Sequence, residues 1–435
     1  MTIELTATPR QISSSRSANW RRVRTSYLIF VGALVVGLAT VFIGFNVQSL
    51  VDTKFDPYGF GEMGKSVARG DGFAPFGNLI ERRAPFYPLM IAGVYLLFGE
   101  QSTLVLILQA VLLAGTCALV FDIGRRLFNE RTGFIAAALC ALNPMLLRYV
   151  ADLQLETLLT FLFTATVWAA VRFNARPTVA AGMLVGATAA LASLTKSVAL
   201  PFPFFFVAIM IAIALLRRHR GQQARLPWVA LAAMFVTMAA LIAPWTARNY
   251  VATGGHFMLL SSGTSDAFLR GYIFSKPEYA TLRLPPYVYA ENESNDWFSS
   301  LSRSAGTEWQ KDDYETDQIL NRAAVQKLIA DPGAFVRKFG VGLLTFWYEM
   351  TSLSTSVVAG GLAIGTWLFA IIGLRRANRE GRSAWVLILP ALYLNVLLAA
   401  LLALGRYSVP ILPPLLVVSA FGIDTLLSKR KPSSV

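Results

Sequence analysis

Residues 26–48 read SYLIFVGALVVGLATVFIGFNVQ, with no charged side chain among them. The run exceeds the about 20 residues that a helix needs to cross the hydrocarbon core of a bilayer. Arg10, Arg16, Arg21, Arg22 and Arg24 stand before it. A cleaved signal peptide fits poorly, because the run is too long and no small-residue cleavage site follows. Further apolar runs recur at 103–121, 132–149, 155–172, 178–195, 199–216, 227–244, 356–374, 384–404 and 407–427. The expected fold class is therefore an all-α polytopic membrane protein with about ten transmembrane helices.

Composition agrees. The 435 residues are 55% hydrophobic and 15% charged, against about 25% charged in soluble proteins. The net charge of +14 does not point to nucleic acid, because the basic residues fall in short loops beside apolar runs. Only Cys117 and Cys140 are present, both within apolar runs, so neither a disulfide framework nor a metal-ligand spacing is read.

Two shorter apolar stretches, 86–98 and 336–350, would raise the count to about twelve if both crossed. Charge parity argues against that. With neither crossing, Arg125/Arg126/Arg131, Arg172/Arg176, Arg217/Arg218/Arg220/Arg225, Arg375/Arg376/Arg379/Arg382 and Lys429/Arg430/Lys431 share a face with the N-terminal arginines, as the positive-inside rule requires. The two stretches are then interfacial or re-entrant. The chain divides into a cytoplasmic basic arm (1–25), a transmembrane module (26–244) that contains an external loop (49–102), a large external loop (245–355) with amphipathic helices, and C-terminal transmembrane helices (356–435). Both termini are expected in the cytoplasm. Of the 25 acidic residues, all but Glu4, Asp122, Glu130, Glu380 and Asp424 fall on the external side. A helix is expected over 312–330, with Ile319, Leu320, Val325, Leu328 and Ile329 on one face and Asp331-Pro332-Gly333 ending it.

Several external residues suit chemistry. Asp56 lies just before a short helical stretch closed by Gly70. It is either a general base or a helix cap, the commoner use of such an aspartate. Arg83, in Glu81-Arg82-Arg83-Ala84-Pro85, either grips a lipid phosphate or anchors the interface. Asp152 and Glu156 are four residues apart, a spacing that places both carboxylates on one face of a helix. Glu156 also opens an apolar run, where ionisable groups usually turn inward and serve a function. Lys196 is a phosphate contact or a snorkelling lysine. Arg248 closes Pro244-Trp245-Thr246-Ala247-Arg248, and Arg406 stands in the turn before the last run. These residues reach the same membrane level, and carboxylates ringed by cations there suit a reaction on an anionic lipid head group. ATP-driven transport, a zinc hydrolase on a His-Glu-x-x-His site and a serine hydrolase are not expected; His219 and His256 are the only histidines.

Taken together these residues resemble a known family. Asp56 with Phe60, then Gly70-Asp71-Gly72-Phe73 and Arg83-Ala84-Pro85-Phe86-Tyr87-Pro88, look like the first external loop of the GT-C glycosyltransferases. The branch is that of the dolichyl-phosphate-mannose–protein mannosyltransferases and the lipid A aminoarabinose transferase. Leu127-Phe128, Asn143-Pro144, Glu156, Pro244 to Tyr250 and Arg406-Tyr407-Ser408-Val409-Pro410 continue the likeness over most of residues 50–425. The resemblance implies a GT-C-like fold and an enzyme of the bacterial inner membrane. That enzyme would move a hexosyl or pentosyl group from a polyprenyl-phosphate donor to a lipid, glycan or protein acceptor outside the cytoplasm. It implies Asp56 and Glu156 as catalytic, with catalysis in the 26–244 module. It further implies Arg83 at the lipid phosphate, with Lys196, Arg248, Arg406, Asp152 and Glu62 as substrate contacts. The family often has Asp-Glu where this chain has Asp56-Pro57, so the second acid falls to Glu62, to Asp52 or to none. Divalent-cation dependence varies within the family. The rival readings are a lipid-linked saccharide flippase, an O-antigen-ligase-like transferase and a membrane scaffold.

Overall fold

The computed structural model describes residues 24–43, 56, 59–73, 83–223, 225–261, 263–279, 286–306 and 313–428. The basic arm as far as residue 23, Asp52, Pro57 and the closing cluster Lys429/Arg430/Lys431 lie outside the described residues. All regular structure among the described residues is helical. In chain order the helices are Arg24–Ile43 (α1), Phe60–Arg69 (α2), Phe86–Phe98 (α3), Ser102–Leu127 (α4), Glu130–Ala141 (α5) and Pro144–Val150 (α6). Glu156–Ala175 (α7), Val179–Thr195 (α8), Phe202–His219 (α9), Trp228–Ala252 (α10), Thr264–Phe274 (α11) and Pro286–Ser304 (α12) follow. The chain continues through Asp313–Ala330 (α13), Pro332–Tyr348 (α14), Leu353–Arg379 (α15), Trp385–Ala399 (α16) and Leu412–Ser428 (α17).

Each expected span corresponds to helix. Seven segments are long and apolar enough to cross a membrane alone: α1, α4, α7, α10, α15, and α9 and α17 taken with the 3-10 turns Ser197–Ala199 and Gly405–Ile411 before them. The run expected as one span at 132–149 is instead two helices, α5 and α6, meeting at 53°. Pro144 has no N–H to continue a helix, and the Asn143 side chain accepts from Met145 N and Leu146 N to start a new one. Helices α8 and α16 have 17 and 15 residues, about 26 and 23 Å of rise against a core of about 30 Å. Helix α3, with 13 residues, and α14, with 17, are helical as anticipated, and α3 is too short to cross unaided.

Packing relies on small residues where helices cross. A Cβ on Gly182 or Gly186 of α8 would stand 2.1 Å from the carbonyl oxygen of Ala230 or Met234 in α10. Those two positions admit nothing larger than glycine, a common solution between membrane helices, where close backbone contact substitutes for a hydrophobic driving force. Phenylalanines fill the centre: Phe163, Phe173, Phe202 and Phe206 of α7 and α9 are almost wholly buried.

The basic loops gather at one end of the bundle. Asp122 of α4 pairs with Arg125 and Arg126 and accepts from Trp168 Nε1 at 2.9 Å. Asp424 of α17, 3% exposed, pairs with Arg376 at 3.3 Å and Arg131 at 3.4 Å. Arg382 donates to the carbonyls of Leu127 and Phe128. Two of the loops that parity assigned to one face, 125–131 and 375–382, thus converge with the end of α17, and the candidate site lies at the opposite end.

Two expectations about local structure fail. The 312–330 helix exists as α13, but its apolar residues do not share a face: Leu320 is 1% exposed whereas Val325 and Ile329 are 52% and 76% exposed. At about 100° per residue, Val325 lies about 140° around the helix from Leu320. Asp152 and Glu156 do not share a helix face either, because residues 151–155 break the chain between α6 and α7. In addition, Gly59-Phe-Gly-Glu-Met-Gly64-Lys65-Ser66 has the spacing of a nucleotide phosphate loop. Here residues 60–66 are the body of α2. Its first amides are taken by Asp56 and Lys65 by Glu62, so no phosphate cradle exists.

Candidate functional site

The backbone of Phe60 and Gly61 holds one carboxylate. Asp56 accepts from Phe60 N at 2.8 Å and from Gly61 N at 2.7 Å, satisfying amides that the first turn of α2 leaves open. It therefore acts as a cap, although the residue adjoining the helix is Gly59, at φ 65°. Burial raises the Asp56 pKa above the usual carboxylate range, while the two amides and the Arg83 guanidinium oppose the rise. The outcome is an aspartate that holds its proton more readily than an exposed one, yet is kept oriented by hydrogen bonds to its anionic form.

Phe60 links Asp56 to the cations. Arg83 lies over its ring at 4.8 Å, and Tyr87 of α3 meets the same ring edge-on at 5.1 Å. Phe60, Arg83, Lys196, Ser197, Ser261 and Thr264 line, with Tyr407 and others, a cavity of about 210 Å³. A second, tighter void beside it is lined by Glu156, Lys196, Arg406 and Tyr407, so Lys196 and Tyr407 form the partition between the two. Lys196 sits 4.0 Å from the Tyr407 ring, and Arg406 lies over the other part of that ring at 4.9 Å and donates to its hydroxyl at 2.9 Å. Tyr393 of α16 donates to the Val198 carbonyl, fixing the 3-10 turn that presents Lys196.

Five of the eight residues singled out from sequence thus come together: Asp56, Arg83, Glu156, Lys196 and Arg406. Of these, Asp56 stands behind the Phe60 wall and the other four line the voids; the remaining three stand apart. Glu62 faces outward with its side chain 52% exposed and pairs with Lys65 at 2.6 Å. Asp152 occupies the break before α7, where Gln154 Nε2 donates to it at 3.3 Å. Arg248 stacks on Trp245 at 4.8 Å and Phe73 at 5.7 Å, while Trp245 and Asn249 hold the Leu260 carbonyl. Among the described residues no three His, Cys, Asp or Glu side chains converge into a ready-made metal site.

Sequence reasoning passed over the group that organises this end. Gln109, fully buried in α4, accepts from the Tyr87 hydroxyl at 2.7 Å. Its Nε2 donates toward the carbonyls of Tyr149, Val150 and Asp152 at 3.3, 3.0 and 2.8 Å. One amide therefore ties α3, and through Phe60 the Asp56 loop, to the break from which Glu156 emerges. The available signal was a lone glutamine in an apolar run, a position where polar groups tend to be functional.

Residues 82–245 match the family model described as dolichyl-phosphate-mannose-protein mannosyltransferase. The whole chain superposes on the archaeal oligosaccharyltransferase AglB from Archaeoglobus fulgidus in complex with an inhibitory peptide and a dolichol-phosphate. The TM-score is 0.52 at 13% identity, covering 94% of this chain and 51% of that one. The chain has the GT-C fold. The apo form of the same oligosaccharyltransferase gives a TM-score of 0.54 at 15% identity, with 93% and 51% of the two chains covered. ArnT from Cupriavidus metallidurans, bound to undecaprenyl phosphate, gives 0.39 at 14% identity, with 94% and 81% covered. The chain spans about half the length of the oligosaccharyltransferases it matches. Among curated proteins, none matches the sequence.

Proposed function

We propose that this GT-C protein transfers one sugar from a polyprenyl-phosphate donor to an acceptor at the external face of the membrane. In this reading both termini are cytoplasmic. The observation that carries the proposal is the single cavity onto which Arg83 and Lys196 open, with the Asp56 carboxylate held directly behind its Phe60 wall. Two cations suit a phosphate, and a carboxylate of raised pKa suits a base.

The step is a single displacement. Asp56 takes the proton from the acceptor hydroxyl as that oxygen bonds to the anomeric carbon, and the bond from that carbon to the phosphate oxygen breaks on the opposite side. The polyprenyl phosphate leaves with the electron pair, and Arg83 and Lys196 stabilise the charge it gains. Preorganised donors of this kind are typically worth about 10²–10³ in rate each. Glu156, beside Lys196 and Arg406, sets the position of both cations around Tyr407. The configuration at the anomeric carbon inverts. Arg248, outside the cavity, is proposed to meet the lipid further along its length, and Glu62 and Asp152 the acceptor side. The members of the bacterial inner-membrane branch set the expected location.

The proposal is tested by titrating purified protein with bare polyprenyl phosphate. The wild type should bind, and Arg83→Ala combined with Lys196→Ala should weaken binding by at least about tenfold, one hydrogen-bonded charge contact being worth about 1.5–3 kcal/mol. Binding unaffected by both substitutions would remove the phosphate from this cavity.

A further inference from the structure

Lys338 of α14 is 2% exposed and takes no part in the chemistry above. Three aromatic rings surround its ammonium: Phe268 at 3.7 Å and Tyr272 at 5.0 Å, both of α11, and Phe335 at 5.2 Å. Its Nζ donates to the carbonyl oxygen of Ala400 at 2.5 Å, the residue that closes α16. Burial lowers the pKa of Lys338 to about 7, with no carboxylate contributing. A buried ammonium without a counter-ion is costly, and a methionine would fill the same space without that cost, so the ammonium is there for what it holds.

It holds a junction that backs the cavity. Leu401 and Leu402, directly after Ala400, line one side of the cavity, and Gly263, Thr264 and Ala267 at the start of α11 line the adjoining side. Ala267 precedes Phe268, the ring closest to the ammonium. The two sides meet at Gly271, where a Cβ would stand 2.0 Å from the Leu401 carbonyl oxygen and 2.4 Å from Lys338 Cε. We propose that Lys338 is a positioning residue for the transferred sugar: its ammonium clips α11 to the end of α16 and so fixes the cavity wall at Gly263, Thr264 and Ala267. This rests on the donor reading above. In that reading Arg83 and Lys196 hold the phosphate, and the wall that Lys338 supports is left to contact the sugar.

The division of labour gives a selective test. Full-length protein in detergent is titrated with bare polyprenyl phosphate and with the same lipid phosphate carrying one hexose. Lys338→Met should weaken the hexose-bearing ligand about tenfold and leave the bare one within about twofold, the loss of one to two contacts to the sugar. Lys338→Arg, which keeps a cation and a donor, should recover most of the difference. Equal weakening of both ligands, or of neither, would overturn the proposal, since a merely structural residue does not discriminate between them. If Lys338→Met does not yield folded protein, Phe268→Leu removes the nearest ring and must show the same selective loss; an unselective loss there overturns the proposal equally. Failure of the wild type to bind the bare lipid phosphate would instead overturn the donor reading, and the sugar wall with it.

Discussion

Asp56 is a cap by its geometry and a base in the function proposed. Its carboxylate caps α2 through two amides, and its burial beside Arg83 gives it the raised pKa of a base. A base must be ionised, so kcat/KM should fall as pH drops through the Asp56 pKa, with the acid limb above the range of an ordinary carboxylate. Arg83 lowers that pKa; the pH profile of Arg83→Ala should therefore show the limb moved further upward, and a downward or absent shift would separate the two residues. Glu349, between α14 and α15, offers a stability counterpart. Burial raises its pKa from 4.5 to about 8, so the folded state binds a proton that the unfolded state has released. Its stabilising contribution is full below about 4.5 and is lost as pH rises through about 8. Glu349→Gln should flatten the decline in thermal stability between those pH values, which a melting series in detergent would show. Residue type and position sufficed to single out Asp56, Arg83, Lys196 and Arg406. They did not reveal Lys338 or Glu349, because charge is visible in a sequence and burial without a partner is not.

At the scale of elements, apolar length made the helices legible, and what remained hidden was how they break and meet. The Asn143-Pro144 pair behind the 53° bend was in view, whereas the break after α6 is held by Gln109 of another helix, which no local pattern announces. Gln109→Leu should remove the acceptor of the Tyr87 hydroxyl and the side-chain donor to the Val150 carbonyl, at about 1–3 kcal/mol for each group left bare; the Tyr149 and Asp152 carbonyls keep Thr157 Oγ1 and Gln154 N. Both a lowered melting temperature and a transfer rate reduced beyond the loss of folded protein are expected, since Asp56 and Glu156 are both positioned through this amide. Unchanged activity per folded molecule would show that Gln109 is structural alone. Gly186 is a separate matter. Its missing side chain lets α8 approach α10, so Gly186→Val should cost several kcal/mol through overpacking against backbone, visible as loss of extractable folded protein. The face assigned to α13 failed because residue composition was read without its 100° step: five apolar residues in eleven do not make a stripe unless their angles agree.

At the scale of the molecule, the sorting of charge organises the account. Asp122 and Asp424 neutralise four arginines at the ends of α4, α5 and α15, on one side of the bundle. At the other, Arg83, Lys196 and Arg406 line two adjoining voids, with Glu156 on the second and Asp56 behind the Phe60 wall of the first. The first arrangement was legible from the positive-inside rule. The second was visible as an excess of external acids, but which of them mattered depended on contacts between segments far apart in the chain. The GT-C fold is shared with enzymes about twice this length, so the chemistry must be demonstrated on this chain itself. The most direct measurement is transfer of radiolabelled sugar from a defined polyprenyl-phosphate donor to a membrane acceptor fraction by the purified protein, beside its Asp56→Asn variant. The account predicts label in the acceptor with the wild type, and a loss of at least about 10²-fold in the folded, membrane-inserted variant. Full transfer by Asp56→Asn would contradict it.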